Sequence, residues 1–283
     1  MNALERIRNH RRELTSSEIR LADHIERNYP QALLSSATTI AKDLGISPST
    51  VVRLFPKLGY GSFMDAQMEA RHDIAQKLAS PAERASVPIS GNHLIDALNA
   101  SIQADQVNIS LTRELLDLNA YTAMVERLCG KDRGTIYLVG AKNSQSIAIY
   151  LYTHLNLFMP QVQLVRFEGV LHADQLQWAS EKDTLIAISI RRYTRATIHV
   201  ARHFRKIGAC IFTLVDSNSA PLARLADHSL LFQTASASPF DSFVGAIALC
   251  NALIAGITSR NAKEVRRTLQ RGDTMWADFD LFE

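Results

Sequence analysis

The spacing of apolar residues along this chain changes once, close to residue 134. Before that point apolar positions recur every three or four residues, which is the period of amphipathic helices. After it, short continuous runs of Val, Ile and Leu alternate with helical patterns, which indicates βαβ units and a parallel sheet covered on both faces. The pattern predicts an α/β fold class: an N-terminal all-α domain, then a domain with a five-stranded parallel sheet flanked by helices.

Breaks in the pattern predict three segments. Residues 1–78 form a small helical domain, in which Thr15 caps a helix and Glu18 completes a capping box three residues later. Residues 79–92, which read ASPAERASVPISGN, combine prolines, a glycine and serines with few large apolar groups, and we interpret them as a linker. Residues 93–283 form the second domain, which begins with helices over 93–130.

Residues 38–60, TTIAKDLGISPSTVVRLFPKLGY, predict two helices joined by a tight turn. Gly45 suits the end of the first helix, because glycine adopts the left-handed conformation without steric cost. Ser47 suits the N-cap of the second helix, and Pro48 suits its first turn. The apolar positions for packing include Val51, Val52, Phe55 and Leu58. This layout is typical of a helix-turn-helix, whose second helix lies in the DNA major groove; a buried helical hairpin is the alternative.

Polar residues of this helix-turn-helix are the candidate DNA contacts. We expect Ser49, Thr50 and Arg53 to reach base edges, and the other members to contact phosphates or cap the helix. The predicted set is Lys42, Ser47, Ser49, Thr50, Arg53, Lys57 and Tyr60. A basic run near the N-terminus, Arg6, Arg8, Arg11 and Arg12, either adds attraction for DNA or forms a solvated helix face.

Five apolar runs in the second half predict the strands of the sheet. They cover residues 135–139, 162–167, 184–190, 209–215 and 229–233. Helical patterns over 144–158, 170–179 and 194–206 separate the first four runs, and a long apolar helix over 240–257 follows the fifth. The carboxyl ends of parallel strands meet at one edge, where open α/β sheets bind ligands.

The order of these parts resembles a known family. LTSSEIRLADHI precedes TTIAKDLGISPSTVVRLFPKLGYGSF, which contains the pattern S-x-x-T-V-V-R-L-F-x-K-L-G-Y-x-x-F. These segments, with the α/β half that follows, are similar to the RpiR (MurR/RpiR) family of bacterial transcription regulators. The resemblance covers nearly the whole chain. It implies that the second half is a SIS (sugar isomerase) domain, which binds sugar phosphates as effectors and dimerises.

Two loops that the resemblance associates with phosphate differ in this chain. It implies G-x-G-x-S after the first strand, where residues 140–144 read GAKNS, and S-x-S-G-x-T after the third strand, where residues 189–194 read SIRRYT. Such loops bind phosphate through small hydroxyls and free backbone N–H groups at helix N-termini. The candidate effector-binding residues are Gly140, Lys142, Asn143, Ser144, Ser189, Arg191, Arg192 and Thr194.

The cations Lys142, Arg191 and Arg192 leave three interpretations open. They hold an anion directly through charge-assisted hydrogen bonds; they fill the pocket and abolish sugar-phosphate binding; or the arginines point to solvent. We favour an anionic small metabolite, with a phosphosugar and a carboxylate equally open. Weaker candidates for the same crevice are Glu168, His172, Ser236, Ser238 and Asp241.

Composition excludes some classes of protein but does not identify a function. The net charge is +3, so bulk charge does not indicate a nucleic-acid partner. The cysteines, Cys129, Cys210 and Cys250, lack the spacing of metal ligands, and we expect reduced thiols in a cytoplasmic protein. No apolar run suits a bilayer span, and the polar N-terminus is unlike a signal peptide. We expect no cofactor, metal or membrane partner, and we interpret His199 and His203 as surface histidines.

The sequence thus predicts a regulator that is not an enzyme. It binds double-stranded DNA at an inverted-repeat operator as a homodimer or higher homo-oligomer, and a small anionic effector bound in the SIS domain modulates that binding. One alternative is a constitutive DNA-binding dimer with a degenerate SIS pocket. Another is a sugar-phosphate isomerase, in which Glu168 and His172 are the only neat acid–base pair near the predicted crevice.

Overall fold

The structure is a computed structural model that describes residues 3–78, 81–85, 94–167 and 173–280. It divides into two compact units, Met1–Val87 and Pro88–Glu283. The segment predicted as a linker contains a short helix, Pro81–Ala85, so it is not wholly irregular. Within the described ranges, no helix combines the length and the apolar character needed to span a bilayer.

The described residues of the N-terminal unit form helices joined by turns, without a strand, as the pattern predicts. Its helices are α1 (Ala3–His10), α2 (Ser16–Asn28), α3 (Ala37–Leu44), α4 (Pro48–Lys57), α5 (Phe63–Leu78) and α6 (Pro81–Ala85), with 3₁₀ turns at Arg11–Glu13 and Gln31–Leu33. Buried side chains of α1 to α5 form one core, which includes Ile7, Leu21, Ile25, Ile40, Val51, Leu54, Phe55 and Leu58. Val52, which we expected to pack, is 45% exposed, because Leu54 takes an inward position of α4.

Glu18 joins the start of α2 to the end of α4. Its carboxylate accepts hydrogen bonds from the backbone N–H and the hydroxyl of Thr15, at 2.8 and 2.9 Å, and this confirms the predicted capping box. The Lys57 ammonium lies 2.8 Å from the other carboxylate oxygen. Burial disfavours the charged form of Glu18, but the hydrogen bonds from Lys57 and Thr15 outweigh that effect and lower the pKa of Glu18.

The C-terminal unit contains the predicted five-stranded parallel sheet. The strands are β1 (Ile136–Val139), β2 (Val162–Val165), β3 (Thr184–Ser189), β4 (Cys210–Val215) and β5 (His228–Leu231), in the spatial order β2-β1-β3-β4-β5. The helices are α7 (Leu94–Glu114), α8 (Leu118–Cys129), α9 (Asn143–Asn156), α10 (Arg195–Lys206), α11 (Val244–Arg260) and α12 (Ala262–Asp278). Because β1 lies between β2 and β3, Val139 is opposite both Val165 and Ala187.

Both faces of the sheet are buried. Side chains alternate along each strand, so Leu138 and Ile186 pack with residues of α8, α9 and α11, whereas Tyr137 and Leu185 pack with residues of α10. Strands covered on both faces favour apolar side chains, which is why they appear in the sequence as nearly continuous apolar runs. Charged side chains therefore gather where the strands end.

Two predicted helices differ in the structure. Residues 170–179 were predicted as helical, but the described part of that range contains only a 3₁₀ turn, Asp174–Leu176, and residues 168–172 lie outside the description. The long apolar helix begins at Val244 rather than at residue 240. Serine hydroxyls favour a loop before it, because Ser238 accepts the Phe240 N–H at 3.2 Å and Ser242 accepts the Val244 N–H at 3.3 Å.

We predict that Glu18→Gln removes an acid-dependent contribution to stability. A carboxylate with a lowered pKa contributes fully above the ordinary glutamate value of about 4.3, and its contribution is lost as the pH falls. Calorimetry of the full chain should show that the melting temperature of the N-terminal unit is lower in the variant than in the wild type by roughly 2–4 °C at pH 7. Below pH ~4 the difference between the two proteins should be smaller.

The matched control is Glu264→Gln. Glu264 forms an ion pair with Arg267 on the surface of α12, where both side chains are well exposed. Exposed pairs of this kind contribute little, so the control should melt like the wild type. A difference for Glu18→Gln that is the same at pH 7 and pH ~3.5 would contradict the role assigned to its charge.

Candidate functional site

The turn between α3 and α4 has the geometry of a helix-turn-helix. Gly45 ends α3 in the left-handed conformation, with φ 61° and ψ 42°. The Ser47 hydroxyl accepts the Thr50 N–H at 3.1 Å and caps α4, and Pro48 lies in the first turn. These observations confirm the two helices and the tight turn that Gly45, Ser47 and Pro48 predict.

The outward face of α4 is polar. Ser49 and Arg53 are exposed, and the hydroxyls of Ser49 and Thr50 each lie 2.8 Å from the Ser47 hydroxyl oxygen. Arg53 makes no hydrogen bond or ion pair with any residue that the structure describes, while Leu54 beside it is fully buried. The alternative of a buried helical hairpin therefore does not hold, and the guanidinium is available to an external acceptor such as a base edge.

The residues predicted to contact phosphates have three different environments. Lys42 is exposed on α3. Lys57 is 47% exposed but is bound to Glu18, so its charge is partly neutralised within the unit. Tyr60 is only 9% exposed, and its hydroxyl donates to Glu69 at 2.8 Å. The prediction for Tyr60 is wrong, because its ring and hydroxyl belong to the core; Lys57 ties α4 to α2.

The basic run near the N-terminus is partly structural. Arg6 donates to the Gly59 carbonyl at 2.9 Å, and its guanidinium lies 4.4 Å from the centre of the Tyr60 ring. Arg11 forms ion pairs with two acidic residues of α2, at 2.5 and 2.9 Å. These two arginines stabilise the helical unit, so the run does not present four free charges to DNA.

The loops after β1 and β3 lie side by side, because these strands are adjacent and parallel. Gly140 is required in the first loop, since a Cβ atom there would lie 2.4 Å from the Ser144 carbonyl oxygen. Ser144 and Ser189 are 5% and 3% exposed, and neither hydroxyl bonds to a residue in the described part of the chain. Together with the N-terminal end of α9, these two hydroxyls suit an anionic ligand.

Lys142 and Arg192 have backbone conformations that favour glycine. The φ angle is 52° at Lys142 and 62° at Arg192. They occupy the positions of the two loops at which the family resemblance implies glycine. Both side chains are exposed, and neither is bound to another residue of the described ranges. Each loop therefore has a glycine-like backbone that carries a cation.

Arg191 differs from these two cations, because the chain itself binds it. Its Nε donates to Asp241 at 2.6 Å, a second guanidinium nitrogen contacts the same oxygen, and the two side chains are 13% and 9% exposed. Its backbone N–H donates to Asp216, which also accepts the Tyr193 hydroxyl at 3.0 Å. Burial and the nearby Asp216 carboxylate raise the pKa of Tyr193 and keep that hydroxyl protonated. The interpretation in which Arg191 points to solvent is therefore wrong, and in this structure its guanidinium is bound to Asp241 rather than exposed at the crevice.

The loop that carries Asp241 is bound to α7. Asn108 donates to the Ala235 carbonyl at 2.7 Å and accepts the Ala235 N–H at 3.1 Å. Thr112 accepts the backbone N–H of residue 233 at 3.0 Å, and Asp105 accepts the hydroxyl of residue 242 at 2.5 Å. Asn108 and Thr112 are fully buried or nearly so. Sequence reasoning missed these residues, because they lie more than a hundred positions from their partners.

The remaining predicted effector residues occupy the same edge. Asn143 is exposed at the start of α9, and the Thr194 hydroxyl lies 2.9 Å from that of Thr197 in the first turn of α10. The hydroxyls of Ser236 and Ser238 lie 3.0 Å from each other and organise their own loop. The weaker candidates Glu168 and His172 lie outside the described residues.

His199 and His203 line a cavity of about 460 Å³ between α10 and the 3₁₀ turn Asp174–Leu176. His199 is exposed, whereas the His203 Nε2 atom is buried without a hydrogen-bond partner, so only His199 matches the expected surface position. The described residues include no group of three or more His, Cys, Asp and Glu that suits a metal ion.

The two units define the class of the protein: it is a transcriptional regulator that joins a helix-turn-helix domain to a SIS domain. A model of the helix-turn-helix domain of the rpiR family matches residues 1–77, and a model of the SIS domain matches residues 131–256. The chain belongs to the RpiR family of transcriptional regulators.

Known proteins of the same class cover most or all of the chain. The HTH-type transcriptional regulator HexR of Pseudomonas aeruginosa is 24% identical over 276 residues, which is 95% of this chain and 94% of HexR. The sugar isomerase domain of an RpiR transcription factor from Sphaerobacter thermophilus is 28% identical, with a TM-score of 0.59 over 62% of this chain and 97% of that one. Vibrio vulnificus NanR is 21% identical, with a TM-score of 0.56 over 98% of this chain and 99% of NanR.

We predict that Arg191 and Asp241 stabilise the C-terminal unit as a pair. Asp241→Asn leaves a largely buried guanidinium without its counter-charge, which should cost about 2–5 kcal/mol of unfolding free energy. The double variant Arg191→Met/Asp241→Asn should be destabilised by less than the sum of the single variants. Denaturant unfolding of the four proteins measures this coupling. Strict additivity would show that the ion pair does not hold the two loops together.

Proposed function

We propose that a small anionic metabolite modulates the binding of this regulator to an inverted-repeat operator in double-stranded DNA. The metabolite, a sugar phosphate or a carboxylate, binds at the carboxyl edge of the sheet, and the protein acts as a homodimer or higher homo-oligomer rather than as an enzyme. The observation that carries this proposal is the exposed Arg53 on a capped α4, which has no partner among the described residues.

The DNA-binding part rests on the outward face of α4. Arginine can donate two parallel hydrogen bonds to the major-groove edge of guanine, and a base contact of this kind specifies sequence. Ser49 and Thr50 stand at the N-terminal end of the same helix, the end that reaches the bases in helix-turn-helix proteins. Lys42 on α3 supplies a phosphate contact, which positions the domain without specifying sequence.

The effector part rests on the hydroxyls of two largely buried serines, which have no partner among the described residues. Ser144 lies in the first turn of α9, where the helix dipole favours an anion, and Ser189 ends β3, before the loop that leads to α10. The comparison structure of NanR is a complex with ManNAc-6P, a sugar phosphate bound by a protein of this fold. We therefore keep Gly140, Lys142, Asn143, Ser144, Ser189, Arg192 and Thr194 as the effector set, and assign to Arg191 the positioning of its loop.

Self-association is supported by exposed apolar residues on α7. Leu94, Leu98 and Ile102 recur every four residues along one side of the helix and are 91%, 57% and 50% exposed. A stripe of large apolar side chains in water is typical of a surface that a partner covers. A second copy of this chain would present the same stripe, as a twofold interface requires, and a twofold dimer reads an inverted repeat.

We predict that Arg53→Ala weakens binding to the cognate operator by about 1–3 kcal/mol and relaxes sequence preference at one base pair of each half-site. Arg53→Lys is the matched control, because it keeps the charge but cannot form the bidentate contact. It should relax the same position while keeping affinity for random DNA. Fluorescence anisotropy with a library of single-base operator variants measures both effects. Equal losses on operator and random DNA would reject the base-reading role.

We predict that Ser189→Ala reduces the stabilisation of the protein by its effector. A ligand that binds only the folded state raises the melting temperature, and the loss of one hydroxyl contact should lower ligand affinity roughly tenfold. A thermal-shift panel of sugar phosphates and organic acids identifies the ligand. Ser259→Ala, at an exposed site on α11, should respond like the wild type. Operator binding that no member of the panel alters would favour the constitutive DNA-binding dimer.

A further inference from the structure

We propose that the effector carries two separate anionic groups, and that Lys142 and Arg192 bind the second one. This inference rests on the proposed function, because it assumes that an effector binds at the carboxyl edge of the sheet. It deepens that function by naming the chemical class of the ligand: a phosphorylated sugar acid, with a phosphate at one end and a carboxylate at the other.

The first anionic group can be bound without Lys142 or Arg192. Ser144 and Ser189 are largely buried residues whose hydroxyls have no partner among the described residues. The N-termini of α9 and α10 add the positive ends of two helix dipoles. Small hydroxyls at helix N-termini are the donors that bind one phosphate.

Lys142 and Arg192 are therefore cations beyond the donors that a single phosphate requires. Each lies in the loop that follows one of two adjacent strands, β1 and β3, so the two charges share one edge of the sheet. Each also has a positive φ, a conformation that a residue with a side chain adopts at a cost. Glycine would fit both positions more easily, so the side chains are the feature that needs an explanation.

The acidic residues of the same loops do not neutralise these two cations. Asp241 is bound to Arg191, and Asp216 accepts hydrogen bonds from the Arg191 backbone and the Tyr193 hydroxyl. Lys142 and Arg192 are bound to neither acid and remain exposed. An anion between them relieves the repulsion of two like charges, and a guanidinium binds a carboxylate with parallel hydrogen bonds.

Matched pairs of ligands test this inference on the full chain. 6-Phosphogluconate and glucitol 6-phosphate differ only in a carboxylate that replaces a primary alcohol, and 3-phosphoglycerate and glycerol 3-phosphate differ in the same way. Isothermal titration calorimetry should show that in at least one pair the acid binds roughly tenfold more tightly or better. Gluconate, which lacks the phosphate, should bind more weakly than 6-phosphogluconate.

The double variant Lys142→Gly/Arg192→Gly identifies the residues responsible. Glycine suits a positive φ, so the variant keeps its loop conformations and should melt no lower than the wild type. It should lose the preference for the acid, so that the two members of a pair bind with similar affinity. Arg202→Ala, which removes an exposed cation from the middle of α10, is the control and should keep the preference.

The outcomes separate this inference from the proposed function. If both members of a pair bind equally to the wild type, or if the double variant keeps the preference, the inference is overturned while an anionic effector stands. If none of the five probes binds the wild type, the inference is overturned, and the thermal-shift panel tests the effector part of the proposed function separately. Operator recognition through Arg53 is measured independently of both results.

Discussion

The parallel sheet of the C-terminal unit is buried on both faces, and this constraint decides where its chemistry can lie. Every residue of β1, β3 and most of β4 is buried between helices, so charged side chains have no place along the strands. They gather instead in the loops after β1, β3, β4 and β5. The same crowding requires Gly140, since a side chain there would collide with the first turn of α9.

Local features of the fold could be predicted from the sequence, because the residues that determine them are close together in the chain. The caps at Thr15 and Ser47, the glycine at the end of α3 and the five strands are of this kind. Contacts between distant residues could not be predicted. Lys57 meets Glu18 across 39 positions, and Arg191 meets Asp241 across 50. Such pairs depend on packing that no local pattern specifies.

The two effector loops show what residue types alone can and cannot indicate. The cations that replace small residues in these loops suggest new anion contacts, a filled pocket or solvent-facing side chains, and the sequence leaves all three interpretations open. The backbone resolves part of the question, because φ is positive at Lys142 and Arg192 but not at Arg191. The three neighbouring cations thus divide into two exposed charges and one internal ion pair. A sequence does not show this division, because Asp241 lies far from Arg191 in the chain.

The hydrogen bonds between α7 and the loop after β5 have a mechanical consequence. In the order of the chain, α7 is the first described helix of the C-terminal unit and follows the helix-turn-helix unit. Asn108 and Thr112 of this helix form hydrogen bonds with the loop that carries Asp241, and Asp241 in turn binds Arg191. A displacement of Arg191 would therefore be transmitted through Asp241 and the loop after β5 to α7.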